Sequence, residues 1–492
     1  MSHRLSKSKF QAGVQCHKLL WWRVHEPDAE ELTPSSEQQR RFDLGTEVGE
    51  RARQHVPGGV LIEWSKGGIG ANLDATRDAV AQGVAVIYEA SFSAGGVFAA
   101  VDILERDGDG WRIIEVKSSL KVKDVHISDV AVQMFVLEQA GLEVTGADVM
   151  VLNRECAYPD LDDLFVRHDV TEAARAFAVG VPEAVQAQMA MLAESIPDVA
   201  IGDHCSDPYR CPFRDRCWPE LPEHHVSTLY RGRNKVEKLE AAGCKTIGDI
   251  PPDFRLNATQ ARQRRAVVQS QLVCEPELSD VLNRLPRTLG YLDFETVAPA
   301  IPCWNGCHPY DAVPAQFVYY ERDGQGNLRS DEWLADAQGD PRAALAQHLV
   351  DVCRDAGIVL AWYAHFEKRV IARLADALPK LADDLHELNS RIVDLLPIVR
   401  NHVYHPDFQG SFSLKRVLPA LVPDLSYRDL EIQSGSLASA ILEQLVISPK
   451  DVDDDERTRL RAALQAYCQR DTLGMVRLHE RLLELAAGGS NP

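Results

Sequence analysis

Residues 101–119, VDILERDGDGWRIIEVKSS, constrain the fold more tightly than any other stretch of the chain. Two apolar-polar alternating runs flank Asp107-Gly108-Asp109-Gly110, so the segment reads as a β-hairpin with its turn centred between Gly108 and Asp109. That register sets Arg106 against Trp111 and, counting outward, Asp102 against Glu115. Cross-strand neighbours have Cβ atoms about 5 Å apart. Two carboxylates that close repel unless a cation lies between them, and hard divalent ions take oxygen ligands of this kind. Lys117, two residues beyond Glu115, projects from the same face. An ammonium there can hold a water or stabilise charge developing on a phosphate. The plainer reading is an exposed sheet face of salt-bridged charges.

The rest of the chain bounds the classes open to it. Its 492 residues suggest two or three domains. A hydrophobic fraction of 45% with 26% charged residues describes a soluble globular protein. Neither a bilayer-spanning apolar run nor a signal-peptide core in MSHRLSKSKFQAG is evident, so a cytoplasmic protein without membrane partners is expected. The net charge of −20 gives no overall basic footprint for nucleic acid, although basic residues cluster at 117–123, 210–216, 231–235 and 262–265. Residues 1–60 read as helical, 84–117 and 147–153 as strands, and 127–140 and 171–195 as helices. Short helices over 234–270 lead, from 288, into a strand–helix alternation of α/β type. The acidic run at 451–456 reads as a solvated loop or a helix start.

The second half carries its own acidic set. Asp293 and Glu295 lie two apart on the strand-like TLGYLDFETV and so share a face. A buried pair of this kind is costly unless a metal neutralises it. Glu367 opens a predicted helix just after the strand-like GIVLAWYA, at the end of a strand where α/β sheets gather ligands. Tyr467 and Asp471, four apart in AYCQRDTLGMVRLHERL, share one helical face. Four carboxylates and a phenol suit a two-metal site, with Mg²⁺ or Mn²⁺ held by Asp293, Glu295, Glu367 and Asp471 and with Tyr467 orienting the nucleophile. Asp394 is a further candidate acid, and Lys415 in Ser413-Leu414-Lys415 is a candidate phosphate contact.

Of the eleven cysteines, Cys205, Cys211 and Cys217 recur at six-residue intervals, and Cys16 lies in the helix-like FQAGVQCHKLLWW. Reduced thiols in a cytoplasmic chain suggest metal binding. Zinc knuckles favour cysteines two to four residues apart, which this set lacks, yet four thiolates suit either zinc or an iron–sulfur cluster. Among the others, Cys303 and Cys307 are the pair nearest an acidic motif.

Two resemblances follow from these residues. Asp102, Glu115-Val116-Lys117 and Gln133 on the next helix resemble the PD-(D/E)xK nucleases, closest to the RecB-like group and the CRISPR-associated iron–sulfur exonucleases. The resemblance implies a restriction-endonuclease-like domain over 1–222, with Asp102 and Glu115 as metal ligands and Lys117 and Gln133 in the catalytic set. It also implies that Cys16, Cys205, Cys211 and Cys217 hold a [4Fe-4S] staple, with Zn²⁺ the alternative. The sequence departs from that group in the spacing of Cys205 and Cys211, which is usually shorter there, and in two further places. Leu137 stands where a Tyr follows Gln133, and Gly49 stands where a metal-binding His follows Gly45, which leaves Glu89 or Glu50 as substitutes. Over 288–480 the acidic set resembles the RNase H-like DEDD exonucleases with Tyr in the third motif, although Glu367 replaces their usual Asp. The stretch LDFETVAPAIPCWNGCHPYDAVPAQF resembles a bacterial family that pairs the two domains. The implied organisation is a nuclease domain over 1–222, a helical linker over 223–286 that resembles a helix-hairpin-helix element, and an exonuclease domain over 287–492. The implied activity is 3′–5′ exonucleolytic cleavage, with a second RecB-like site and with DNA ahead of RNA as partner. A helicase or another repair or defence protein is the kind of protein partner it leaves open. The alternatives are a non-catalytic nucleic-acid-binding adaptor and a redox sensor centred on the cysteines.

Overall fold

The computed structural model describes residues 5–64, 67–336, 339–448 and 452–488. Residues 1–4 and Asp451 of the acidic run lie outside the described residues. The chain is mixed α/β and divides into two compact units, 1–219 with 299–310, and 220–298 with 311–492.

Unit 1 is built on a seven-stranded mixed sheet. Its strands are β1 (Leu5–Ser6), β2 (Val60–Leu61), β3 (Val86–Ala94), β4 (Val97–Asp107), β5 (Gly110–Lys117), β6 (Val144–Leu152) and β7 (Phe165–Asp169). They run in the order β2-β3-β4-β5-β6-β7, and β1 pairs with the start of β4. The hairpin register is the one read from the turn, with Arg106 opposite Trp111. The unit's helices are α1 (Lys7–Gln15), α2 (His17–His25), α3 (Ser36–His55), α4 (Gly68–Ala81), α5 (Asp124–Gln139), α6 (Thr171–Ala178), α7 (Val181–Leu192) and α8 (Arg214–Cys217). Among the described residues the 1–60 helical stretch is therefore three α-helices and a 3-10 turn (Glu30–Leu32), with α1 and α2 broken at Cys16, whose backbone is extended. The 171–195 helix is two, broken before Pro182. On one face Val130, Val132 and Val136 of α5 pack with Val97, Val101, Ile113 and Val149. On the other, Ala52 of α3 and Val56, just past its end, meet Ile103 and Ile114.

Residues 299–310, which the motif reading places with the C-terminal half, form part of unit 1. Ala300 is buried with Val48, Leu152, Cys156 and Leu164. The backbones of Tyr158, Gly306 and Cys307 exchange hydrogen bonds of 2.9 and 3.0 Å, and the Tyr310 hydroxyl donates to the Ser118 carbonyl at 2.7 Å. Cys303 and Cys307 lie in this strap.

Unit 2 contains α9 (Arg233–Ala241), α10 (Ala258–Gln269), β8 (Val273–Cys274), α11 (Leu278–Leu282), β9 (Leu289–Val297), β10 (Val313–Arg322) and β11 (Leu328–Leu334). After these come α12 (Arg342–Val352), β12 (Ile358–Ala361), α13 (His365–Ala377), α14 (Ala382–Arg391), β13 (Ile392–Asp394), α15 (Leu396–His402), β14 (Val403–Tyr404), α16 (Leu414–Leu421), α17 (Gly435–Val446) and α18 (Asp454–Ala486). The sheet order is β11-β10-β9-β12-β13. β10 pairs antiparallel with both β11 and β9, and β12 and β13 run parallel to β9. Leu292 and Phe294 face the core beside Val370 and Ile371 of α13, which leaves the alternate positions of β9 to α17 and α18. The acidic run becomes the start of α18. Asp453 accepts the Glu456 N–H at 2.9 Å, and Asp454, Asp455 and Glu456 fill the first turn, where the helix dipole favours negative charge.

The 223–286 segment is more than a connector. Val226, Leu239, Ile247 and Ile250 form a small core of their own. β8 pairs antiparallel with β14, and Arg262 donates to Glu275 at 2.9 Å and to the Arg400 carbonyl at 2.9 Å. These contacts lie within unit 2 and bind the segment to the C-terminal half.

Candidate functional site

β9 places Asp293 and Glu295 on one face because side chains alternate along a strand. α18 crosses that face and brings in Tyr467 and Asp471, one helical turn apart. Carboxylate oxygens of Asp293, Glu295 and Asp471 all lie within 4.8 Å of one another, a set able to hold a metal ion. Opposite Glu295 the β9–β10 register slips between Pro314 and Gln316, and the Gln316 side chain donates to the Leu464 carbonyl of α18 at 3.1 Å. This irregularity locks the strand to the helix beside the acids.

The site's own groups leave that negative charge uncompensated. Burial, then the charges of Asp471, Glu295 and Glu367, push the Asp293 carboxyl well above its ordinary range. Burial and Asp471 do the same to Glu295, and burial raises Asp471. Lys415 is a cation whose charge acts on Glu295 and Asp471, and its ammonium donates to the Gln433 carbonyl at 2.7 Å and to the Tyr467 hydroxyl at 2.9 Å. Its pKa is lowered by burial, against the pull of the three carboxylates. Three like charges and one lysine thus make a cation-seeking pocket.

Glu367, the fourth expected ligand, is not among the acids whose oxygens lie within 4.8 Å of one another, although its charge acts on Asp293. It sits in the first turn of α13, 3% exposed, and its Oε2 has no hydrogen-bond partner among the described residues. Burial, then the charge of Asp394, pushes it up to about 8. Asp394 itself braces the backbone, its Oδ1 accepting the N–H of Tyr363 and of Leu396, both at 3.0 Å. Those bonds hold Tyr363 in the left-handed conformation, φ 63°, between β12 and α13. Lys415, the candidate phosphate contact, donates to the Tyr467 hydroxyl in the structure. Sequence reasoning missed Tyr427, whose hydroxyl donates to Asp471, and Cys468, whose Sγ lies 3.8 Å from Asp293 Oδ2. Only the spacing of Cys468 on the Tyr467–Asp471 face was available as a signal; Tyr427 lies in an irregular segment and carried none.

In unit 1 the structure brings Asp102, Glu115, Lys117 and Gln133 together. Glu115 is 1% exposed under α5, and its Oε2 accepts from Gln133 at 2.5 Å. Its Oε1 accepts from two ammonium groups, Lys117 at 2.8 Å and Lys7 at 2.7 Å. Burial would raise the Glu115 pKa, but Lys117 and Lys7 hold it below its ordinary range. Asp102 Oδ2 accepts the Val116 N–H at 2.7 Å, just past the last ladder pair, Ile103–Ile114. Burial and the Glu115 charge push Asp102 up to about 7. Across the sheet the β3–β4 ladder pairs Tyr88 with Ile103 and Ala90 with Val101, skipping Glu89, whose φ is 56°. Glu89 pairs with Arg53 at 2.9 Å, Glu50 stays exposed on α3, and Leu137 is fully buried in the core. Lys7 had no motif to announce it.

Cys16, Cys205, Cys211 and Cys217 line one cavity with Trp22, His204 and Arg214. None is in a disulfide. Cys16 sits in the break between α1 and α2, Cys205 ends a 3-10 turn, and Cys217 ends α8. Gln15 donates to the carbonyls of His204 and Tyr209 at 2.7 and 2.6 Å, so the N-terminal helix is fastened to the cysteine-bearing loop. Burial pushes the thiols of Cys211 and Cys217 up, and the neighbouring cysteines add to the rise.

Residues 290–413 match a family described as a domain of unknown function (DUF2779). The match runs from β9 to the threshold of α16 and stops short of the helix that bears Tyr467 and Asp471. None of the curated proteins compared with the chain matches it. Among solved structures, the family B DNA polymerase from the hyperthermophilic archaeon Pyrobaculum calidifontis is similar at 14% identity and a TM-score of 0.27. That match covers 41% of this chain and 27% of the polymerase.

Proposed function

We propose that unit 2 is a divalent-metal-dependent nuclease that removes nucleotides from the 3′ end of nucleic acid, DNA ahead of RNA. The observation that carries this reading is the set of Asp293, Glu295 and Asp471 oxygens within 4.8 Å of one another, from a central strand and a crossing helix. The orphaned, buried Glu367 Oε2 and the β11-β10-β9-β12-β13 order, three antiparallel strands then two parallel, support the RNase H-like part of it. Mg²⁺ or Mn²⁺ held by Asp293, Glu295 and Asp471 would activate water and stabilise the leaving oxygen. The protein's own groups set the geometry. Tyr427 donates a hydrogen bond to Asp471 and restrains its carboxylate. Lys415 holds the Tyr467 hydroxyl where it can orient an attacking water, and its ammonium lies beside the charge that develops on the phosphate.

The four cysteines support a [4Fe-4S] cluster in unit 1. Three of them recur at six-residue intervals, unlike the two-to-four-residue pairs that zinc knuckles favour, and with Cys16 they line one cavity. Reduced thiols also fit a cytoplasmic protein.

The test is an anaerobic assay on end-labelled single-stranded and duplex DNA and RNA with Mg²⁺ or Mn²⁺. Wild type should shorten substrate stepwise from the 3′ end, and Asp293→Ala should lose at least about a thousandfold in rate. Cutting that survives Asp293→Ala undiminished would place the activity elsewhere, and binding without turnover by wild type would favour the adaptor reading.

A further inference from the structure

The resemblance of unit 1 to metal-dependent nucleases implies a divalent ion between Asp102 and Glu115, and the donors present do not fit one. Both Glu115 oxygens are engaged, Oε1 by the ammonium groups of Lys7 and Lys117 and Oε2 by Gln133. Asp102 Oδ2 accepts the Val116 N–H. Lys117 reaches a second acid, Asp129, at 2.7 Å. Two ammonium groups thus face the acids Glu115 and Asp129, and a dication on Glu115 would sit against two positive charges already within hydrogen-bond distance of the same oxygen.

Lys7 is no mobile surface lysine. It is the first residue of α1, and the residues before it are tied into the sheet, where Leu5 pairs with Val97 and Ser6 with Phe98. Ser6 caps the helix by accepting the Lys9 N–H at 3.2 Å. One turn on, Gln11 hydrogen-bonds Ser128 of α5 at 2.8 Å. The ammonium is therefore delivered to Glu115 by paired backbone.

We infer that the Lys7 ammonium takes the place of the divalent cation in unit 1, so that Asp102 and Glu115 form a lysine-neutralised site that does not bind Mg²⁺ or Mn²⁺. The reading is independent of the activity proposed for unit 2.

Mn²⁺ binding, followed by the electron paramagnetic resonance of free Mn²⁺, tests it in the full chain with the unit 2 site silenced by Asp293→Asn and Asp471→Asn. That protein should bind no Mn²⁺ through unit 1, and adding Lys7→Arg should leave it so. Adding Lys7→Met should raise Mn²⁺ affinity by about tenfold or more, and a further Glu115→Gln should abolish the gain. A Mn²⁺ site already present in the silenced protein and removed by Glu115→Gln overturns the inference, as does a folded Lys7→Met variant that gains no affinity. Should Lys7→Met fail to fold, the Glu115→Gln comparison in the silenced protein decides alone.

Discussion

Among single residues, the face of α18 that supplies Tyr467 and Asp471 continues to His479, which meets Tyr291 on β9. The Tyr291 hydroxyl lies 2.7 Å from His479 Nδ1, and both rings are buried. Burial, helped by the charge of Arg322, lowers the His479 pKa to about 4. A folded pKa below the unfolded value of about 6.5 means that the stability is fully present above that value. It is lost as pH falls towards 4, because the unfolded chain takes up a proton that the folded one refuses. A shift of this size is worth at most about 3 kcal/mol. Urea unfolding at pH 7 and pH 5 should therefore show a steeper loss of stability in wild type than in His479→Gln. Equal losses in the two proteins would remove His479 from the account.

Elements meet at places where a single atom decides whether they can. Gly410, at φ 77°, lies in the loop between β14 and α16, and a Cβ there would stand 1.9 Å from the Thr228 carbonyl oxygen. The backbone of the 220–286 segment occupies the space that a side chain would need. Tyr230 packs edge-on against Phe412 at 4.9 Å beside the same contact. Gly410→Ala should lower stability by about 2–4 kcal/mol, the left-handed cost plus the collision. Gly108→Ala, at φ 60° in the hairpin turn with open space around it, should cost about 1 kcal/mol. Calorimetry on the two variants separates the terms, and equal losses would show that the Thr228 carbonyl yields.

Over the whole molecule, unit 1 is closed by residues far apart in the chain. Cys16 lies nearly 190 positions before Cys205, and the strap at 299–310 returns after a further excursion to cover Val48 and Leu152. A cluster on the four thiols, as proposed, would fasten the first two helices to residues 203–217. Anaerobically purified protein should carry about four irons per chain and the visible absorption of a cluster. Cys211→Ser should lose both and lower the unfolding temperature of unit 1. Stoichiometric zinc with no iron in wild type would replace the cluster by a single ion.

Local and periodic features were legible in the amino-acid order. The Asp-Gly turn dictated the β4–β5 register, so that counting outward from it was enough to set Asp102 and Glu115 at the hairpin's open end. Alternation on β9 and the four-residue step on α18 set Asp293 with Glu295 and Tyr467 with Asp471, because side-chain direction follows from backbone period alone. Which of these groups share a charge environment was settled by the way the elements cross. Tertiary packing brought Lys7 to Glu115 from over a hundred positions away and left Glu367 outside the triad. It turned Lys415 to Tyr467 and returned 299–310 to unit 1. Such meetings depend on which helix lies over which strand and on which chain end is tied into which sheet, and no spacing along the chain encodes the distance between residues on different elements.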